Sequence, residues 1–207
     1  MSGFLQAGRP PLILASGSQT RARLLEAAGL AFIIEPPGLD EGAMRQAVSG
    51  ERSLDPSDVA EVLARAKAEA VSDLAHGAFV IGSDQVLALG NRIYSKPDSM
   101  ETARSHLLDL SGKAHTLHTS VALASEGESI FTHTEIATLV MRKLTPDFIG
   151  RYLPAVGEEA LASVGAYQIE GFGLQLFEKM DGDYFSILGL PLLPLLAALR
   201  QHGVIDG

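Results

Sequence analysis

Residues 114–144 constrain the fold of this chain more than any other segment. "AHTLHTSVALAS" and "SIFTHTEIATLVMRKL" both alternate apolar and polar residues, and Glu126-Gly127 stands between them. Alternation at period two puts one set of side chains on each face of a pleated strand. A short link containing glycine lets two such strands fold back as an antiparallel pair. The chain therefore contains at least one long hairpin, and the remaining segments must be read as its surroundings.

"PPLILAS" reads as a buried strand, 18–29 as a helix ended by Gly29, and "LAFIIEP" as a second strand stopped by Pro36 and Pro37. Residues 36–54 are polar and Gly-rich and read as a mobile loop. Asp55 or Ser57 caps a helix running to about residue 74, with Val59, Val62, Leu63, Ala66 and Ala70 on one face. "AFVIGSDQVLAL" (78–89) is a strand interrupted at Gly82-Ser83-Asp84. "SMETARSHLLDL" is a helix capped by Ser99, and "LSGKAH" is its exit, with Gly112 supplying a left-handed turn. Helices at 146–153 and 157–163, short strands at 167–170, 174–180 and 184–188, and a final helix from Pro191 to Gly203 complete the pass. Strands and helices mixed in this way point to an α/β or α+β architecture.

Composition narrows the function. The 207 residues make one domain or two closely joined lobes, 46% hydrophobic and 20% charged. With no cysteine, disulfides and thiolate chemistry are excluded, which suits a reducing cytoplasm. "MSGFLQAGRP" lacks the basic and apolar regions of a signal peptide, and residues 1–10 read as a flexible N-terminus. "ILGLPLLPLLAAL" is too short and too broken by proline to span a bilayer. A net charge of −9 argues against a broad basic surface for nucleic acid. A phosphorylated small molecule remains compatible if local cations, backbone N–H groups or a metal concentrate on it.

Several residues have the chemistry for that. In "LASGSQTRARLLEAAGL", Ser16 and Ser18 lie where a strand turns into a helix N-terminus, the positive end of a helix dipole, and Arg21 stands one turn on. The same features describe an ordinary capped corner. Asp84 in "GSDQV" suits a cation ligand or a proton acceptor, and equally a turn aspartate bonding its own backbone. Lys96 in "SKPD" and Lys67 in "VLARAKAEAV" are candidate cations, and Asp40-Glu41 candidate metal ligands in the loop. "GAYQIEGFG" (165–173) interleaves Tyr167, Glu170 and Phe172 with glycines, which permit close approach to a planar ring. The six histidines show no metal-ligand spacing.

Taken together and in order, "LILASGSQTRARLLEAAG", "LDE", "VLARAKAEAV", "VIGSDQV", "SKP", "LDLSGKAHTLHT", "GAYQIEGFG" and "GDYFSILGLPL" resemble the Maf family of nucleoside triphosphate pyrophosphatases over nearly the whole chain. The resemblance implies a single Maf/ITPase-like α/β domain, two lobes around an extended mixed sheet with the nucleotide between them. It also implies hydrolysis of a nucleoside triphosphate to the monophosphate and pyrophosphate with Mg²⁺ or Mn²⁺, and a possible homodimer. Carried over by position, Ser16, Ser18 and Arg21 hold phosphate. Glu41, Lys67, Asp84 and Lys96 complete the reaction centre, with Asp84 and Glu41 on the metal and Asp84 as proton acceptor.

Two departures stand out. Gln19 and Thr20 replace the proline and first arginine of the family's usual serine-proline-arginine-arginine run, and Ala66 replaces a glutamate before Lys67. Three positions track the base in the family, here Thr20, Gln85 and Glu170. Glutamine and glutamate at the second and third resemble the 7-methyl-GTP group; the dTTP/UTP group resembles arginine, threonine and glutamine. A glutamate accepts from both N1–H and N2–H₂ of guanine, and its charge suits a methylated, cationic ring. The expected substrate is therefore 7-methyl-GTP. The alternatives are a dTTP/UTP pyrophosphatase and a nucleotide-binding regulator of cell division without turnover.

Overall fold

The computed structural model describes residue 6, residues 10–39, 42, 44 and 55–206. Among the described residues, seven strands form one mixed sheet: β1 (Leu12–Leu14), β2 (Ile33–Ile34), β3 (Phe79–Leu89), β4 (Arg92–Tyr94), β5 (Ala114–Ser125), β6 (Glu128–Met141) and β7 (Phe177–Asp181). Their order is β2-β1-β3-β5-β6-β7, with β4 also paired to β3. β1 is parallel to β2 and β3, and the other pairs are antiparallel. Six helices are described: α1 (Gln19–Ala27), α2 (Pro56–Ser72), α3 (Met100–Leu110), α4 (Pro146–Val156), α5 (Tyr184–Ile187) and α6 (Leu192–Gln201). The expected α/β architecture is the one observed.

The β5–β6 hairpin forms where the alternation puts it. Glu126 and Gly127 both take positive φ, 51° and 79°, as a tight turn matched to strand twist requires. Side-chain caps start the helices: Ser18, Asp55, Ser99, Thr145 and Asp183 each accept a backbone N–H from the first turn that follows.

The structure corrects four sequence expectations. β3 is one unbroken strand, because Gly82, Ser83 and Asp84 stay in ladder register with Ala122, Val121 and Ser120 of β5. The buried face of α2 is set by Val59, Leu63, Lys67 and Val71, leaving Val62 exposed, so the apolar face is rotated from the expected one. Residues 184–187 form a helical turn and not a strand, since the Asp183 carboxylate accepts both the N–H and the hydroxyl of Ser186 at 2.7 Å. Residues 167–170 pair with no described strand and follow a 3₁₀ turn at Val164–Ala166; a second 3₁₀ turn covers Phe172–Leu176. The segment 157–161 is likewise a 3₁₀ helix. β4 was not anticipated, its three residues being too few for a pattern.

Two large apolar clusters lie along the same long strands. One gathers Leu12, Leu14, Leu25, Ile81, Val121 and Leu195. The other gathers Leu87, Leu107, Leu117, Leu139, Ile149 and Tyr167. Residues 82–86 of β3 and 118–120 of β5 span the interval between these cores. The polar residues Ser83, Asp84, His118, Thr119 and Ser120 are all buried in that interval. Helix α2 packs over the face of β3 that carries Gly82, Asp84 and Val86, and at Gly82 its backbone lies so close that no side chain fits.

Candidate active site

At the opening corner, β1 delivers Ser16 into the fold, with 7% of its surface exposed. The hydroxyl of Ser16 accepts the Ser18 N–H at 3.2 Å and the Arg21 Nη1 at 3.1 Å. The Ser18 hydroxyl caps α1 by accepting the Arg21 N–H. Arg21 Nε donates to the Gly189 carbonyl at 2.8 Å. Ser16, Ser18 and Arg21 therefore form one network, with the arginine reaching back to the corner. A helix N-terminus with a guanidinium held across it is an arrangement suited to phosphate.

Lys67 and Asp84 come from different elements 17 residues apart and meet at 2.8 Å. Their side chains are only 5% and 4% exposed. Asp84 lies in the middle of β3, not at a strand exit, and its side chain faces α2. The buried face of that helix is apolar except at its polar exceptions, and Lys67 is the charged one. Burying two charges is tolerable only when they satisfy each other. This pair meets that condition, and it places a carboxylate and an ammonium side by side between the two cores.

Ser83, the residue before Asp84, turns its side chain to the opposite face of β3, the face that meets the corner. Its hydroxyl reaches the Ser120 carbonyl at 2.8 Å and the Gly189 carbonyl at 2.9 Å, and the latter is also the acceptor of Arg21. Gly189 has φ of 105°, which a glycine adopts without strain. The sequence reasoning missed Ser83 and Gly189 as site residues. Their signal was present only as small residues inside "GSDQV" and "SILGLPL".

Gln85, next on β3, gives its amide nitrogen to Thr119 Oγ1 at 2.9 Å and to the carbonyls of Ser186 and Ile187 at 3.0 and 3.1 Å. Thr119 in turn donates to the Ser186 carbonyl at 2.9 Å. The amide is thereby fixed in orientation by α5. On the opposite face, His118 touches Ser57 Oγ at 2.8 Å through Nδ1 and Thr116 Oγ1 at 2.9 Å through Nε2, which ties the start of α2 to β5. Burial lowers the pKa of this histidine.

The glycine-rich loop is anchored from below. Tyr167 is buried in the second core, and its hydroxyl lies 2.8 Å from His115 Nε2. Burial pushes the tyrosine pKa upward and the histidine down to about 4. Glu170, further along the loop, is exposed and accepts from the Thr20 hydroxyl at 2.6 Å. A cavity of about 300 Å³ has Tyr152, Glu159, Glu170 and Phe172 in its wall, and neither Asp84 nor Lys67 lines it.

Lys96 is exposed two residues beyond β4. Glu41 lies outside the described residues, as do Asp40 and most of the expected loop at 36–54. Of the expected flexible N-terminus, only Gln6 and Pro10 are described. Among the described residues, no three histidine, aspartate or glutamate side chains converge as a metal cage. No described helix is long and apolar enough to cross a membrane.

A Maf-like protein family model matches residues 11–202. A 7-methyl-GTP pyrophosphatase of Mesorhizobium japonicum is 54% identical over 95% of this chain and 98% of its own. A 7-methyl-GTP pyrophosphatase of Brucella abortus is 53% identical over the same shares. A nucleoside triphosphate pyrophosphatase of Bradyrhizobium diazoefficiens is 45% identical over 97% of this chain and 98% of its own. With a family model covering most of its length and relatives this similar end to end, the chain belongs to the Maf family.

Proposed function

We propose that this protein hydrolyses a nucleoside triphosphate, 7-methyl-GTP in the first place, to the monophosphate and pyrophosphate. The observation that carries the proposal is the buried Lys67–Asp84 pair on β3 together with the Ser16–Ser18–Arg21 network, whose Gly189 carbonyl also accepts from Ser83, the residue before Asp84. An acidic protein that binds a polyanion needs such a local concentration of cations and N–H donors. Relatives of half-identical sequence carry the name 7-methyl-GTP pyrophosphatase, in keeping with Gln85 and Glu170 at the base-tracking positions.

Asp84 is the described carboxylate of the expected metal pair, and one carboxylate is enough for Mg²⁺ or Mn²⁺ of the kind that arrives with a triphosphate. Such an ion takes one or two protein carboxylates and completes its shell with phosphate oxygens and water, so no all-protein cage is needed. Asp84 would hold it together with Glu41. When bound, the ion neutralises phosphate charge and lowers the pKa of a coordinated water.

The chain's own residues perform the remaining work. The α1 N-terminus and Arg21 hold the phosphate tail and stabilise charge as it develops. Lys67 orients the Asp84 carboxylate, which accepts the proton of the attacking water. That water's oxygen bonds to the α-phosphorus as the bond to the bridging oxygen breaks, and pyrophosphate leaves in line. Lys96 is assigned as a further cation of the reaction centre, the role the family resemblance implies. Gln85 and Glu170 receive the base, Glu170 accepting from the N–H edge of the guanine.

The test is pyrophosphate release from 7-methyl-GTP, GTP, dTTP, UTP and CTP with Mg²⁺ or Mn²⁺, repeated in ¹⁸O-water. The expected result is a preference for 7-methyl-GTP, with label in the monophosphate. Release of orthophosphate, label in pyrophosphate, or no hydrolysis of any nucleotide overturns the reading.

A further inference from the structure

Thr20 stands where the family's usual opening carries an arginine, and it cannot stack on a base. The structure gives it a different task. Its hydroxyl donates to Glu170 Oε1 at 2.6 Å, across 150 residues of sequence. That length is in the range of a hydrogen bond from a hydroxyl to an ionised carboxylate, among the stronger kinds. Thr20 is half-buried in the first turn of α1, whereas Glu170 is exposed.

The backbone beneath Glu170 is already fixed. Tyr167 is held by His115, Ile169 is buried in the second core, and Gly173 folds against the Gln168 backbone so closely that a Cβ would lie 2.7 Å from its nitrogen. What remains unset is the glutamate side chain, and ordering a free glutamate costs up to about 2 kcal/mol of rotamer entropy. Thr20 holds one carboxylate oxygen, leaving Oε2 to a ligand. The turn that carries Thr20 also carries Arg21, which is fixed on Ser16 and Gly189. One helical turn thus touches both the phosphate corner and the base-reading loop.

We infer that Thr20 is a positioning residue that acts on the base only through Glu170, latching the glycine-rich loop to α1 so that the carboxylate is aimed before the nucleotide arrives. This rests on the reading of Glu170 as a base contact. The experiment is a double-mutant cycle of Thr20→Val and Glu170→Ala, with Thr20→Ser as the conservative variant, measuring kcat and KM on 7-methyl-GTP and GTP. Thr20→Val is expected to raise KM for 7-methyl-GTP about 5- to 10-fold, the scale of a partly exposed charged hydrogen bond, with kcat within about twofold. Thr20→Ser restores the wild-type KM, and in the Glu170→Ala background Thr20→Val adds nothing further.

A Thr20→Val effect that persists in Glu170→Ala, one confined to kcat, or a Glu170→Ala variant with unchanged KM overturns the latch. If the wild type does not prefer 7-methyl-GTP over GTP, the base assignment fails separately. The same cycle, read on the best substrate, then still decides whether Thr20 acts through Glu170. If the wild type hydrolyses nothing, the cycle is read on nucleotide affinity by titration, with the same criteria.

Discussion

Asp84 and Lys67 meet with their side chains only 4% and 5% exposed, and substitutions can separate their part in stability from their part in chemistry. Asp84→Asn keeps an acceptor for Lys67 and removes the proton acceptor. Pyrophosphate release should fall by about 10²- to 10⁴-fold, the usual range for losing a general base, while affinity for the nucleotide titrated without divalent metal stays near wild type. Lys67→Met takes from the buried Asp84 carboxylate its ammonium partner at 2.8 Å and should cost about 3–5 kcal/mol in urea denaturation. Lys67→Met with Asp84→Leu should recover most of that loss and remain inactive. A double variant as unstable as the single one would show that the pair does not act as a unit. Both residues were legible in sequence only as candidates, Asp84 as a carboxylate beside small residues and Lys67 as a lysine on an alanine-rich helix face, and it was the family resemblance that put them in one site. Their pairing was not legible, since it depends on how α2 lies over β3. The Thr20–Glu170 contact was hidden for the same reason, being a product of tertiary folding over 150 residues.

At the scale of elements, the approach of α2 to β3 depends on Gly82. A Cβ there would lie 2.7 Å from the Ala68 nitrogen and 2.9 Å from its Cβ, so backbone and not a flexible side chain would have to move. Gly82→Ala should destabilise the fold by about 1–3 kcal/mol, the cost of overpacking. It should also displace Lys67, one residue from the clash, and lower kcat more than a distant substitution of equal cost. Thermal unfolding and pyrophosphate release, compared with Leu110→Ala in the second core, check this; equal activity at equal stability would sink it. The elements that were legible are those with long periods or explicit signals: the hairpin with its Glu126-Gly127 turn, and helices announced by Ser18, Asp55 and Ser99. Short elements were not. Four residues at 184–187 carry no usable period; the bonds from Ser186 to the Asp183 carboxylate and from the Ile187 N–H to the Asp183 carbonyl decide for a helix. Gly82-Ser83-Asp84 looked like a break because small and polar residues usually end strands. Here they are kept in the ladder by β5 on one side and by the closeness of α2 on the other.

For the whole molecule, acid stability follows from where the histidines lie. His106, His115 and His118 are all buried, and burial lowers the pKa of each below the ordinary 6.5, to about 4 for His115. A histidine whose folded pKa is depressed is kept neutral in the fold and takes up a proton more readily when unfolded. Its contribution is therefore fully present above pH 6.5 and is lost as pH falls from there toward the folded value. Asp55, Asp98 and Glu126 are shifted down by hydrogen bonds, so their contributions are lost only as pH falls below the ordinary carboxylate range. The interval between pH 6.5 and 4 consequently belongs mainly to the histidines. By linkage, the His115 share of the loss between pH 7 and pH 5 is about 2 kcal/mol. His115 also anchors Tyr167 beneath the glycine-rich loop, so protonating it disturbs the segment that carries Glu170. Urea denaturation of wild type and His115→Gln at pH 7 and pH 5 measures this. The wild type should lose at least that much stability, and the variant, already weaker at pH 7 for want of its tyrosine partner, should show a shallower decline. Parallel declines in the two proteins would place the acid sensitivity elsewhere in the fold.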